Sequence, residues 1–248
     1  MQAFISGIVP LSTSKWYGKL SSIIFFGGCD FRCKYCYNPE MLESKQKFLT
    51  DLKIITNEIK KHEDMIESVI FSGGEPCLQR MALITLAKHF KSKGIKTGLD
   101  TNGSKPNVIR ELLSLELLDF ISLDFKSPFS NDLFSRITNS KTFFTKTEEI
   151  MNGIKETINV LKKYHVEIEI KTVIVPSLVY KKEDLLEMAG LIDGLNCIWV
   201  LQQFENEKEL VDKNMENIQP ASQKFLENLK EFCLKEYPGL KMKIRNSK

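Results

Sequence analysis

The chain has 248 residues, 42% of them hydrophobic, and a formal net charge of +3. That length allows one domain with a sizeable core. The near-balanced charge excludes the strong positive field of a polyanion binder, and no apolar stretch reaches the length of a membrane span. Lysine pairs such as Lys60-Lys61 and Lys162-Lys163 read as solvated helix faces rather than as a nucleic-acid surface. The opening MQAFISGIVPLSTSK is too polar and too interrupted for a secretory h-region.

In chain order, short β-rich runs alternate with longer helical patterns. Strands are predicted at 21–26, 68–71, 96–99, 120–124, 167–173 and 197–201, each apolar or β-branched and bounded by Gly, Pro, Asp or Asn. Helices are predicted at 52–62, 78–92, 108–115, 148–162, 182–192 and 221–234, before an edge strand at 241–244. Thr50 or Asp51 can cap the first helix, and Gly94 can stop the second. Six strand–helix units in series imply a parallel α/β sheet with right-handed crossovers. The stretch 127–147 is the longest irregular one, and long loops in compact domains are often functional. No internal repeat, low-complexity linker or second domain is evident, so 1–248 reads as a single domain.

Chemistry concentrates where strands end. Cys29, Cys33 and Cys36 stand at C-x3-C-x2-C, just after the first predicted strand and Gly27-Gly28. Three thiols so close can hold three corners of an iron–sulfur cube. With no fourth cysteine nearby, one iron would stay open to a small molecule. Structural zinc needs four closed ligands, yet no second C-x2-C pair exists and His62, His89 and His165 are scattered. Cys77, Cys197 and Cys233 are isolated, which argues against disulfides and fits a cytoplasmic protein. Gly73-Gly74-Glu75-Pro76 follows the second strand, Asp100-Thr101-Asn102-Gly103 the third, and Asp124-Phe125-Lys126 the fourth. In βα barrels the loops at strand carboxyl ends build the active site.

The cysteine spacing, with Tyr35 before the third cysteine and the Gly-Gly-Glu-Pro run some forty residues on, resembles the radical S-adenosylmethionine (SAM) superfamily. The resemblance covers about residues 15–205 and leaves 206–248 as an unmatched C-terminal extension. It implies a partial (βα)6 barrel, a 4Fe-4S cluster on Cys29, Cys33 and Cys36, and SAM bound at the open iron. Tyr35, Gly73, Gly74 and Glu75 would contact SAM.

The segments Asp100-Thr101-Asn102-Gly103 and Asp124-Phe125-Lys126, with Tyr17-Gly18-Lys19-Leu20 upstream, are similar to those of glycyl radical enzyme activases. The likeness is to the anaerobic ribonucleotide reductase activating and pyruvate formate-lyase activase types. Asp100, Thr101, Asp124 and Lys126 would then meet SAM's methionine and ribose. Some activases hold a monovalent cation there, whose ligands here would be Asp100, Thr101, Asp124 and the Ser122 carbonyl. Apolar residues of 171–176 and 199–204 could wall the adenine or simply pack the core. Phe204 stands about where some activases carry a histidine, so Gln202 or Gln203 would have to supply that ribose contact. Tyr37 also departs from the Cys-His-Asn-Pro often seen in this family.

The absence of cysteines between Cys36 and Gly73 implies a single cluster. The resemblance implies two protein partners: a glycyl radical enzyme as substrate, and an electron donor such as flavodoxin or ferredoxin. A radical SAM enzyme acting on a small molecule or nucleobase is the alternative, with a non-catalytic metal-binding module behind it.

Overall fold

A computed structural model describes residues 1–140 and 146–246. Among these residues nine strands form one sheet: β1 Gln2–Ser12, β2 Ser21–Phe26, β3 Leu49–Asp51, β4 Ser68–Gly73, β5 Lys96–Thr101, β6 Phe120–Asp124, β7 Glu167–Ile174, β8 Ile198–Gln203 and β9 Lys241–Arg245. The helices are α1 Leu52–Lys60, α2 Arg80–Ser92, α3 Pro106–Ser114, α4 Asn131–Thr138, α5 Thr147–Leu161, α6 Lys182–Ile192 and α7 Gln223–Glu236. The spatial order is β3-β1-β2-β4-β5-β6-β7-β8-β9, an open sheet with β3 and β9 at its edges. From β2 to β9 every neighbour is parallel. Each parallel strand lies beside the parallel strand before it in the chain, which is the winding of a barrel left unclosed, as the (βα)6 expectation requires.

The six expected strands are β2 and β4 to β8, most of them a residue or two longer, and the expected edge strand is β9. Their near-continuous apolar runs reflect burial on both faces. Helix signals also held. Asp51 caps α1 by accepting from the Lys53 N–H at 2.8 Å, and Gly94, at φ +76°, follows α2. Three strands or helices were not expected, the three-residue β3 among them. β1 pairs antiparallel to β2, with register irregularities, and its half-exposed, glycine- and proline-interrupted run carries no clean strand period. Within 127–147 lies α4, a two-turn helix; 141–145 fall outside the described residues.

The outer face of the sheet packs against the helices through residues such as Val69, Phe71, Leu83, Phe90, Leu99 and Ile121. A smaller cluster, Trp16, Ile23, Ile70 and Phe120, fills the inner face near the strands' amino ends. Trp16 comes from the loop between β1 and β2 and stacks on Phe120 at 4.9 Å. That loop therefore floors the half-barrel. Arg245 of β9 reaches Glu169 on β7 through two hydrogen bonds of 3.1 and 2.8 Å, tying the last strand to the interior. Among the described residues, no helix is long and apolar enough to cross a membrane.

Candidate active site

A cavity of about 260 Å³ opens at the carboxyl ends of the strands. Cys29, Cys33, Cys36, Tyr35, Gly73, Gly74, Asp100, Thr101, Asp124, Lys126 and Gln203 all line it. Two predicted residues, Glu75 and Ser122, do not.

The cysteine loop is gripped from three sides. The Gly28 and Cys29 N–H groups donate to the carbonyls of Met41 and Leu42 at 2.8 and 3.0 Å. Those of Arg32 and Lys34 donate to Thr138 and Ile137 at 2.7 and 3.1 Å, spending carbonyls that the end of α4 leaves free. From the C-terminal extension, the Val211 and Asp212 N–H groups reach the Cys36 and Lys34 carbonyls at 3.1 and 2.9 Å. Arg32 also donates to the Cys29 carbonyl at 2.6 Å. Phe31, Cys33, Phe134, Ile150, Met151 and Ile154 form an apolar cluster behind the thiols.

Burial pushes all three thiols up, Cys33 to about 11, so the bare protein holds them protonated. Binding cationic iron would displace those protons, because a metal-bound thiol is deprotonated. All six cysteines are free. No three His, Cys, Asp or Glu side chains among the described residues are gathered as a single metal ion requires. Thiolates at three corners of a cube bind separate irons and need no such convergence. The donor set therefore fits a cluster.

Gly73 and Gly74 form the opposite wall. Gly73 sits at φ +114°, where other residues are strained. A Cβ on Gly74 would collide with the Gly28 carbonyl oxygen, so the two motif loops touch backbone to backbone. The Gly74 N–H donates to Phe26 and the Glu75 N–H to Gly28, both at 2.8 Å. The Glu75 carboxylate turns inward. It accepts from the Cys77 N–H at 3.0 Å, the Thr101 hydroxyl at 2.9 Å and the Asn102 N–H at 2.7 Å. It thus braces the β4 and β5 loops from behind the cavity wall. Burial, then Asp30's charge, pushes its pKa up to about 7 against those donors.

Charged groups occupy the cavity foot. The register pairs Asp124 with Lys171 on adjacent strands. Lys171 lies 3.2 Å from Asp124, and Lys126 donates to Asp124 at 3.1 Å. Lys15, from the floor loop, donates to Asp100 at 2.6 Å, and Ser72 donates to the same oxygen at 2.8 Å. Burial opposes both carboxylates, yet the lysines more than offset it and hold them below the usual range. Ser122 is buried beside Glu169 and does not line the cavity.

Sequence reading missed Lys15, Lys171, Ser72 and Asp30. Asp30 accepts from Asn102 at 2.8 Å and Ser104 at 2.7 Å, and pairs with Lys105 at 2.9 Å, binding the cysteine loop to the β5 loop. Only Asp30 and Ser72 carried a signal, adjacency to a motif. Gln203 lines the cavity and donates to the Ala221 carbonyl at 2.7 Å. Val173, Gln202 and Phe204 line it too.

An open βα sheet with a three-thiol loop after its first parallel strand, and its charges at the same rim, defines an iron–sulfur enzyme of the half-barrel type. The family model for the radical SAM superfamily matches residues 23–192. A protein of Methanocaldococcus jannaschii named for glycyl-radical enzyme activation is 33% identical over 237 residues, covering 95% of this chain and 93% of that one. The pyruvate formate-lyase-activating enzyme of Clostridium pasteurianum is 30% identical over 183 residues, 72% of each. A radical SAM methyltransferase from Sphaerobacter thermophilus shares the fold, with a TM-score of 0.65 at 12% identity over 92% of this chain and 67% of that one. The chain belongs to the radical SAM superfamily. It is a homologue of glycyl radical enzyme activases, and the superfamily's cofactors, a 4Fe-4S cluster and SAM, are its own.

Proposed function

We propose that this enzyme generates a glycyl radical on a partner protein, with Cys29, Cys33 and Cys36 holding the cluster and the rest of the cavity holding SAM. The gathering of these thiols, the Gly73-Gly74 wall and the Asp100, Asp124 and Lys126 charges in one cavity carries the reading. The likeness to activases over nearly the whole chain supports the glycine target. When bound, the reduced cluster and SAM supply a 5′-deoxyadenosyl radical that takes hydrogen from the substrate.

The protein orients and shields that chemistry. Asp124 and Lys126 present a carboxylate and an ammonium to the zwitterionic end of SAM. Thr101 lines the same cavity while its hydroxyl donates to Glu75 at 2.9 Å. Tyr35, held neutral by burial, and Phe204 and Val173 offer apolar surface to the adenine side, with Gln202 or Gln203 toward the ribose. The rim is left for a partner loop carrying the glycine, whose docking completes the exclusion of water. The stretch 127–147 is the expected border of that groove, and 141–145 lie outside the described residues. The reductant is a flavodoxin- or ferredoxin-type protein. Free cysteines and the absence, among the described residues, of a helix able to cross a membrane fit a cytoplasmic enzyme.

The test is to incubate reduced enzyme and SAM with a candidate partner and record electron paramagnetic resonance. A glycine-centred doublet that grows with 5′-deoxyadenosine is expected. Rapid coupled turnover of a free nucleobase or other small molecule, with no protein radical, would overturn the glycine target and leave the radical SAM assignment standing.

A further inference from the structure

At the cavity foot three ammonium groups meet two carboxylates. Lys15 lies 2.6 Å from one oxygen of Asp100, and Lys171 lies 3.8 Å from the other. Lys171 and Lys126 take one oxygen each of Asp124, at 3.2 and 3.1 Å. All four carboxylate oxygens therefore already face an ammonium. The second Asp100 oxygen is buried with no hydrogen-bond partner. Within this cluster three lysines stand against two aspartates, a local surplus of one positive charge; Glu205, also on the cavity wall, is paired with Lys208 at 2.9 Å.

The position of Lys15 is built in. Its neighbour Trp16 is stacked on Phe120 beneath the barrel, and the Trp16 carbonyl accepts from the Lys19 N–H at 3.1 Å. With the floor loop pinned there, the Lys15 side chain extends up the inner face to β5. A free cation among Asp100, Thr101, Asp124 and the Ser122 carbonyl would enter against ammonium groups of the same sign. A ligand carboxylate entering there would instead neutralise the surplus.

We propose that Lys15 is the resident counter-ion of Asp100, a positioning residue that does a monovalent cation's work, so that this enzyme binds SAM without such a cation. The inference rests on the reading that SAM's carboxylate lies beside Asp100 and Asp124. An alkylammonium and a potassium ion carry the same charge at similar size. The tethered group loses no freedom from solution when SAM arrives, because its loop has already fixed it.

The experiment is calorimetric titration of SAM into anaerobic, cluster-loaded protein in sodium, potassium or tetramethylammonium chloride at equal ionic strength. Wild type should keep its Kd within about twofold across the three salts. Lys15→Met should bind about tenfold more weakly in tetramethylammonium and recover in potassium, and Lys15→Arg should stay cation-independent. A second readout needs no cluster. The melting temperature of cluster-free Lys15→Met should rise in potassium relative to tetramethylammonium, while that of wild type should not. Wild-type affinity that strengthens about tenfold with potassium would overturn the inference and leave the SAM site intact. Loaded wild type that binds no SAM in any salt would overturn the site reading and this inference with it.

Discussion

At the residue scale, the two most telling side chains are a thiol in the cavity and a carboxyl behind it. Cys33 lines the cavity and Cys77 does not; Cys77 is buried beside Thr101, 3.8 Å from its hydroxyl. Cys33→Ala should therefore lose most of its iron after anaerobic reconstitution. Cys77→Ala should keep it, with a stability cost of about 1 kcal/mol from a small void. Equal iron loss in both, by iron assay, would contradict the ligand assignment. Glu75 is testable through pH. Its folded pKa of about 7 lies above the ordinary 4.5. The carboxyl's contribution is thus full below pH 4.5 and is lost as pH rises through 7, a change of about 3 kcal/mol. Glu75→Gln removes that titration. In cluster-free protein, the advantage of wild type over the variant should shrink between about pH 5 and about pH 8 in denaturant melts. A constant gap would show that the carboxyl is ionised throughout.

At the scale of elements, the loop between β1 and β2 does more than connect. It seals the half-barrel with Trp16, which is 3% exposed, while the adjacent Tyr17 is 84% exposed. Trp16→Ala should destabilise the protein by about 3–5 kcal/mol, whereas Tyr17→Ala should change stability by less than about 0.5 kcal/mol, both measured by denaturant unfolding. Neither this loop nor α4 was legible in the sequence. Strands buried on both faces announce themselves as apolar runs, and glycine, proline and aspartate mark where they stop. Those signals located six strands and the motif loops behind them. Lys15 carries no local mark, because only the tertiary fold brings it alongside Asp100. α4 is eight residues long and buries Phe134, Ile137 and Thr138 alone, too short a stripe to stand out between Pro128 and Asn139. Glu75 was legible as a motif residue, but its direction was not. Which side of a loop a carboxyl faces depends on donors, here Thr101 and Asn102, that lie on another strand.

At the scale of the whole molecule, the unclosed sheet has to manage its last strand. β9 is joined to β8 in parallel and stitched inward by the Arg245–Glu169 pair, whose carboxylate side chain is only 11% exposed. Arg245→Ala should cost about 1.5–3 kcal/mol, since it strands a largely buried charge. Breaking the exposed Arg80–Glu111 pair should cost at most about 1 kcal/mol. Comparable costs in urea melts would mean that the C-terminal strand is held by its ladder alone. The C-terminal extension also has a consequence for how the protein is made. Its Val211 and Asp212 form one side of the grip on Cys36 and Lys34. A ribosome delivers the thiols early and these residues late. The cysteine loop of a nascent chain therefore lacks that side of its grip through most of translation. A chain cut short before residue 211 would carry all three thiols without the two hydrogen bonds that Val211 and Asp212 give their loop.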